Sequence, residues 1–292
     1  MPVSLSSGVR DTLVTIQQTV AEATLSQTRL ATGNKVNTAL DNPMSFFAAA
    51  SLNQRAGDLS GLQDNMQQAV RTISAASTGI DGMTKLLQTA QGIANSAAAE
   101  SDQTRRATLA TQFNTVLSQV DELMKNSGYN GVNLLNGDKL SLSFDPKSTT
   151  STMTIQSSTG SAAAGGTSGG LTASKLGVGM ATGTLGWANS AAAGNTDGDV
   201  AIKNTLTALS TAIGTLRIEA SGLGSTQTIV SARQAFTTSM INTLKGGSGD
   251  LTLADLNEEG AKLSSLNTRG QLAQTALSLA TQRDQQVLQL LK

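Results

Sequence analysis

Apolar residues recur every three or four positions along most of this chain, and the rhythm lapses only between about residues 140 and 199. Starting near Ser6, the residues Val9, Leu13, Ile16, Val20, Ala23 and Leu30 share one face, with Gln27 as an interruption. That spacing predicts an amphipathic helix whose heptad-like seam faces a partner. Its end is expected at Ala31-Thr32-Gly33-Asn34, because Gly33 can take the left-handed conformation that follows a helix C-terminus.

After a loop over residues 35–40, a second helix is announced by Asp41 or Asn42 as N-cap and by Pro43 at the first helical position, where its missing N–H is harmless. Leu59, Leu62, Met66, Val70, Ile73, Ile80, Met83, Leu87 and Ala94 carry its stripe to about Ala99. At 1.5 Å per residue that is roughly 80 Å of helix. Gly57, Gly61, Gly79, Gly82 and Gly92 lie inside it, each costing about 1 kcal/mol against Ala, so packing has to hold it. A third helix, from about Asp102 to Asn126, shows Leu109, Phe113, Val116, Val120 and Leu123. The pattern resumes near Val200 with Ile202, Leu206, Leu209, Ile213, Leu216, Ala220 and Leu223, continuing through Val230 to Ile241 and Leu244. A Gly-rich stretch, Lys245 to Gly249, is expected to break it before a fifth helix with Leu256, Leu263, Leu266, Ala273, Leu277, Ala280, Val287 and Leu291 on its seam.

One short run departs from the helical rhythm. YNGVNLLNG, Tyr129 to Gly137, holds two Asn-Gly pairs, Asn130-Gly131 and Asn136-Gly137, around Val132, Leu134 and Leu135. Asn-Gly favours turns with φ > 0 at both central positions, so both pairs are read as hairpin turns. Beyond them, alternation at Leu140, Leu142 and Phe144, and at Met153 and Ile155, predicts a few weak strands in a loop-rich, Ser/Thr/Gly/Ala-rich segment read as a surface module rather than core. The fold class is therefore mainly α. Long heptad-patterned helices from both chain ends pack as a bundle, with a β-hairpin region near residues 128–144 and a small insertion of weak β character.

Composition narrows the function. Of 292 residues only 2% are aromatic and 38% hydrophobic, which suits long, thin helix packing better than a thick enzyme interior. The formal charge is zero with both signs interspersed, so the basic footprint of a nucleic-acid binder is missing. No run of about 18 apolar residues occurs, which argues against membrane insertion, and Met1 to Arg10 lacks the apolar core of a cleavable signal. Export without a cleaved signal stays open.

Catalytic, cofactor and metal motifs fail on chemistry, and the chain is not expected to be an enzyme. Gly246-Gly247-Ser248-Gly249 is a near miss to a nucleophile elbow, but there is no histidine to complete a triad or a zinc site, and no cysteine. Gly177-Val178-Gly179 lacks the full dinucleotide fingerprint. Glu258 and Glu259 diverge by about 100° on a helix, and are read as a solvated face whose charge suits the helix N-terminus. Asn195, Asp197 and Asp199 resemble a calcium loop without its later Gly and Glu. The many hydroxyls between Ser141 and Ser190 are candidate O-glycosylation acceptors as much as a solvated loop.

An amphipathic helix at each terminus joins the body through a Gly-containing break. Two thin helices bury little surface alone, which suggests a polymer subunit whose ends order on assembly. A closed intramolecular bundle has the same spacing and is the commoner outcome. Further residues favour the polymer. YNGVNLLNG resembles the hairpin segment of bacterial flagellin. RLATGNKVNTALDNPMSFFAAASL resembles its connection from terminal helix to body, and GDLTLADLNEEGAKLSSLNTRGQLAQTALSLATQRDQQVLQLLK resembles its carboxyl end. The forms Asn-Pro-x-x-Phe-Phe and Leu-Thr-Leu-Ala-Asp-x-Asn-Glu-Glu-Gly-Ala are similar to flagellins of alphaproteobacteria in particular. The resemblance covers about 1–140 and 200–292.

That resemblance implies a subunit exported unfolded through the flagellar type III apparatus and polymerised head to tail into the extracellular filament. The parts would be an inner-tube helix and loop (1–42), outer-tube core with hairpin (43–139), a variable exposed insertion (140–199), further outer-tube core (200–248) and a second inner-tube helix (249–292). The assembly seam would be Leu13, Ile16 and Val20 against Leu277, Val287 and Leu291. Implied partners are other copies or related flagellins, the filament cap, hook–filament junction proteins and an export chaperone. A junction protein is the alternative reading of the chain itself. The segment Leu87, Gln88, Thr89, Ala90, Gln91, Gly92 and Ile93 aligns with the stretch gripped by the flagellin-sensing Toll-like receptor, but Thr89 replaces an arginine and Gly92 a glutamate. Weak or no receptor activation is therefore expected.

Overall fold

A computed structural model of the chain describes residues 7–146, 151–157, 170–181, 186–188 and 198–290. The elements are α1 (Ser7–Thr32), α2 (Pro43–Ala99), α3 (Gln103–Asn126), a 3-10 turn (Leu134–Asn136), β1 (Leu140–Ser143), β2 (Thr152–Ile155), α4 (Gly198–Thr252) and α5 (Leu256–Leu290). The boundaries follow local chemistry. Gly33 closes α1 with φ 72°. The Asn42 side chain accepts from the Ser45 N–H at 3.0 Å to start α2, and Asp102 accepts from Thr104 and Arg105 to start α3.

The described residues divide into two compact units, one within Met1–Gly57 and Met240–Lys292, the other Asp58–Ser239. The second holds the main core. Met66, Ile73, Ile80, Met83 and Leu87 of α2 are buried with Phe113, Leu117 and Val120 of α3 and with Ile202, Leu209, Leu216 and Val230 of α4. Helices α2 and α4 run antiparallel there. Gln63 reaches Thr238 at 2.9 Å and Gln91 reaches Ser210 at 3.5 Å, pairs that step equally along the two helices in opposite directions.

Two expectations are corrected. The glycines at 245–249 do not break α4, which continues to Thr252. Gly weakens a helix without ending it, and here the small residues allow close packing. Ser248 donates to the Ala49 carbonyl at 3.3 Å, and a Cβ at Gly247 would stand 3.6 Å from Leu52. The break falls instead at Leu253 to Asp255, where Asp255 accepts from the Asn257 and Glu258 amides and caps α5.

The segment 140–199 is also not simply a surface module. β1 and β2 pair antiparallel in the register Leu140 to Ile155, and Leu142, Ile155, Leu171, Leu176, Val178 and Trp187 are buried in the second unit's core. Trp187 lies 4.7 Å from Phe113, ring to ring. Polar side chains of α3 fix this segment: Asp121 accepts from the Ala173 amide at 2.7 Å and Asn114 from the Ala181 amide at 2.8 Å. Beyond β1 and β2, the buried Leu171, Leu176, Val178 and Trp187 are scattered among Ser, Thr and Gly, with no period to betray them.

Gly79 shows why a helix this long keeps glycine. A Cβ there would stand 2.6 Å from Ser127 Cβ and 2.9 Å from Leu135 Cδ1, with Ser127 Oγ closer still. Gly79→Ala should therefore destabilise the Asp58–Ser239 unit by about 1–3 kcal/mol despite the better helix propensity of Ala. Gly92→Ala, where a Cβ meets nothing within 4 Å, should stabilise it slightly. Thermal melts of the two variants against the parent check the opposite signs.

Candidate functional site

Helix α1 packs against α5 in the first unit, and its buried face overlaps the expected seam but also takes in Thr19 and Ser26. Val9, Thr19 and Ser26 are its buried residues, whereas Leu13 and Ile16 are half-buried and Val20 is 56% exposed. Small side chains bring the helices together: a Cβ at Gly270 would lie 3.9 Å from Thr19 Cγ2, and the Thr19 hydroxyl is already satisfied by the Thr15 carbonyl at 2.8 Å. Larger apolar residues are buried in this unit as well, Val9 of α1 and Leu266 of α5. Leu277 is half-buried. The side chain of Val287 and all of Leu291 lie outside the described residues.

The strongest polar feature of this helix pair is one that patterning missed. Ser26 donates to Glu259 Oε2 at 2.7 Å and Arg29 Nη1 donates to Oε1 at 2.8 Å. Glu259 is 8% exposed, so the reading of Glu258 and Glu259 as a solvated face fails for Glu259. The Ser26 hydrogen bond, then that of Arg29, hold its carboxyl below the ordinary value of 4.5 against the opposing effect of burial. The signal in the sequence is weak: Ser26 and Arg29 stand three apart on one face of α1, facing an acidic first turn of α5.

The connection out of this pair is tied down by backbone. Asn34 bridges to Leu253, the Lys35 amide donates to the Thr252 carbonyl at 2.7 Å, and the Ala254 amide donates to the Gly33 carbonyl at 3.0 Å. Asp41 accepts from the Thr38 and Asn37 amides, which lower its pKa. Around this fixed loop Leu40, Met44 and Phe47 stand in solvent, Leu40 almost wholly so.

The two Asn-Gly pairs play different parts. Asn130 (φ 49°) and Gly131 (φ 79°) form a two-residue turn closed by reciprocal Tyr129 and Val132 bonds at 2.9 and 3.0 Å. Asn136 and Gly137 instead end the 3-10 turn, with Gly137 at φ 94° donating to the Leu134 carbonyl, so the second pair is not a hairpin turn. The reason is Asn133. Its Oδ1 accepts from the Leu135 and Asn136 amides while its Nδ2 donates to the Met124 and Lys125 carbonyls, winding the chain into a 3-10 turn that also caps α3.

On α2, Leu87 is fully buried, Gln88, Thr89 and Gly92 are exposed, and Ile93 is half-buried. Asp199 pairs with Arg106 at 2.6 Å, while Asn195 and Asp197 lie outside the described residues, as do most hydroxyls of 141–190. Among the described residues no group of three or more acidic, His or Cys side chains is gathered, and no helix is long and apolar enough to cross a membrane.

Comparison with known proteins gives a consistent result. Residues 9–139 match the bacterial flagellin N-terminal helical region and residues 206–291 the bacterial flagellin C-terminal helical region. The chain is 30% identical to "Flagellin FljM" of Caulobacter vibrioides, over 99% of this chain and 98% of that one. It is 23% identical to "Flagellin" of Brucella melitensis over 98% of each.

The Ser26, Arg29 and Glu259 cluster predicts a pH dependence of definite sign. Because the folded carboxyl titrates below 4.5, its contribution is complete above that value and is lost as pH falls through the lowered folded value. Acid should thus weaken α1 pairing with α5 by about 1–2 kcal/mol, and Glu259→Gln should start weaker and lack that step. Amide hydrogen exchange along α1, followed from neutral to acid pH in both proteins, checks it.

Proposed function

The chain belongs to the bacterial flagellin family and is a structural subunit of the extracellular flagellar filament, and from that premise we propose that it polymerises head to tail after leaving the cell unfolded through the flagellar type III apparatus. In this reading α1 and α5 line an inner tube and the helices of the second unit form an outer one. Its partners are other copies or related flagellins, with the filament cap, hook–filament junction proteins and an export chaperone met on the way. The family matches are to flagellins, which favours the shaft over a junction ring.

The observation that carries this reading is the set of large apolar side chains left in water along single helix faces. On α4, Ile218 is 71% exposed, Ile229 47% and Phe236 58%. Steps of eleven and seven residues return to within about 20° of one direction on a helix of 3.6 residues per turn. Gly214 and Gly222 stand one turn to either side of Ile218 with open space where a Cβ would be, leaving room for a neighbour's side chains. Val14 and Leu25 on α1, and Leu272 and Leu279 on α5, repeat the arrangement in the other unit. Bare apolar faces on three helices fit a chain that hides them against copies of itself. At about 25 cal/mol per Å² removed from water, they help offset the entropy of ordering the termini.

The same reading includes weak or absent Toll-like receptor activation. Leu87 is spent in the core, the Thr89 hydroxyl is bonded to the Lys85 carbonyl at 3.0 Å, and Gly92 offers no side chain. At the two positions where a receptor would seek an arginine and a glutamate, Thr89 and Gly92 carry no charge to pair.

A sulfate salt that strengthens apolar burial should drive purified monomer into long filaments, seen by negative-stain electron microscopy, with a rise in helicity by circular dichroism. Ile229→Asp with Phe236→Ser should stay a helical monomer, since both positions are exposed. Deleting residues 277–292 should leave a soluble, partly helical one. Parental filament yield from either change contradicts the proposal. In a reporter-cell assay the purified monomer should signal weakly, and strong signalling refutes the evasive reading.

A further inference from the structure

We propose that Asn130 is a site of spontaneous covalent ageing, converting to aspartate and isoaspartate in the folded protein, and that its twin Asn136 is shielded from the same reaction. The chemistry is that of any Asn-Gly pair. The amide nitrogen of the glycine attacks the asparagine Cγ, the new C–N bond closes a five-membered succinimide, and the Cγ–Nδ2 bond breaks. Nδ2 leaves as ammonia, taking up the proton released from the amide nitrogen. Solvent water then opens the ring at either carbonyl. One opening gives aspartate, and the other carries the main chain through Cβ as isoaspartate. Water is consumed, ammonia is released, and no oxidant or reductant is needed.

Both pairs have the favourable sequence, because glycine places no Cβ beside the attacking nitrogen. They differ in how the fold treats that nitrogen. Asn130 and Gly131 are both exposed, and a Cβ on Gly131 would meet nothing within 4 Å. Neither the Asn130 carboxamide nor the Gly131 amide makes a hydrogen bond among the described residues. Their turn is an isolated bridge closed by the two Tyr129 and Val132 bonds, outside any strand, so it opens locally at small cost and lets the Asn130 backbone rotate toward the geometry of attack.

Asn136 is exposed like Asn130, but its backbone is held in place and the nitrogen that would attack it is buried. Its own amide donates to the Asn133 carbonyl at 3.0 Å and to Asn133 Oδ1 at 3.1 Å. The Gly137 nitrogen, the nucleophile of this pair, is buried and donates to the Leu134 carbonyl at 3.3 Å. Gly170 packs on the outside of the turn, so closely that a Cβ there would lie 2.8 Å from the Asn136 Cα. Freeing Gly137 requires undoing the 3-10 turn, with Leu134 and Leu135 fully buried beneath it. Conversion at Asn130 would take the chain's formal charge from zero to negative, and the isoaspartate form adds a main-chain atom to a two-residue turn, which cannot then keep the Tyr129 and Val132 pairing.

The test is an incubation of the full chain in mildly alkaline buffer, sampled over weeks, with proteolysis and fragment-ion mass spectrometry to separate the two sites and resolve isoaspartate from aspartate. Asn130 should convert at least about ten times faster than Asn136 in the folded protein. A parallel incubation in concentrated urea should bring the two rates together, since the difference belongs to the fold. Equal rates in the folded protein, faster loss of Asn136, or a rate difference that survives in urea would each overturn the proposal. Asn133→Ala, which removes the carboxamide that winds the 3-10 turn, should raise the Asn136 rate toward that of Asn130, and an unchanged Asn136 rate counts against the shielding described.

Discussion

A helix more than fifty residues long with a single apolar seam needs apolar surface of matching length beside it, because isolated helices are marginal in water. Within the second unit, helices α2 and α4, 57 and 55 residues long in all, meet that need in opposite directions. Their seams close with α3 around Met66, Phe113 and Leu216 in the second unit. The low aromatic content follows from the same constraint. Thin helices leave room mainly for Leu, Ile, Val, Met and Ala, and Trp187 packs on Phe113 in the core that also takes in Leu142 of β1 and Ile155 of β2.

Within this apolar frame, a few satisfied polar groups decide where the irregular parts dock. Asn133 spends its whole carboxamide joining the end of α3 to the 3-10 turn, and Asp121 and Asn114 reach from α3 to the amides of Ala173 and Ala181. Ser26, Arg29 and Glu259 do the same for the terminal helices, setting their register with directional bonds. Apolar burial supplies most of the stability, and these bonds supply position.

A second consequence of thin helices is that burial is incomplete. Each helix has more apolar residues than one neighbour can cover, so Ile218, Phe236, Leu272 and Val14 remain in water. For a solitary protein that would be an aggregation liability. On the proposed reading as a filament subunit, it is surface for copies to cover in one another.

The sequence by itself determined the helices, since a repeat of three and four, Pro43 at a helix start, Asp102 at a cap and Gly33 at an end are local instructions that tertiary packing had no reason to override. It also carried the family, through runs at both ends that resemble flagellin. Tertiary structure alone decided that the buried face of α1 takes in Thr19 and Ser26, which lie close to Gly270 and Glu259, a criterion invisible to hydrophobic period. It likewise decided that Glu259 is buried while its neighbour Glu258 stays exposed, and that one Asn-Gly makes a turn while the other ends a 3-10 helix. In each case the deciding partner lies far along the chain or depends on a side chain already held in place, so a local pattern contains no trace of it.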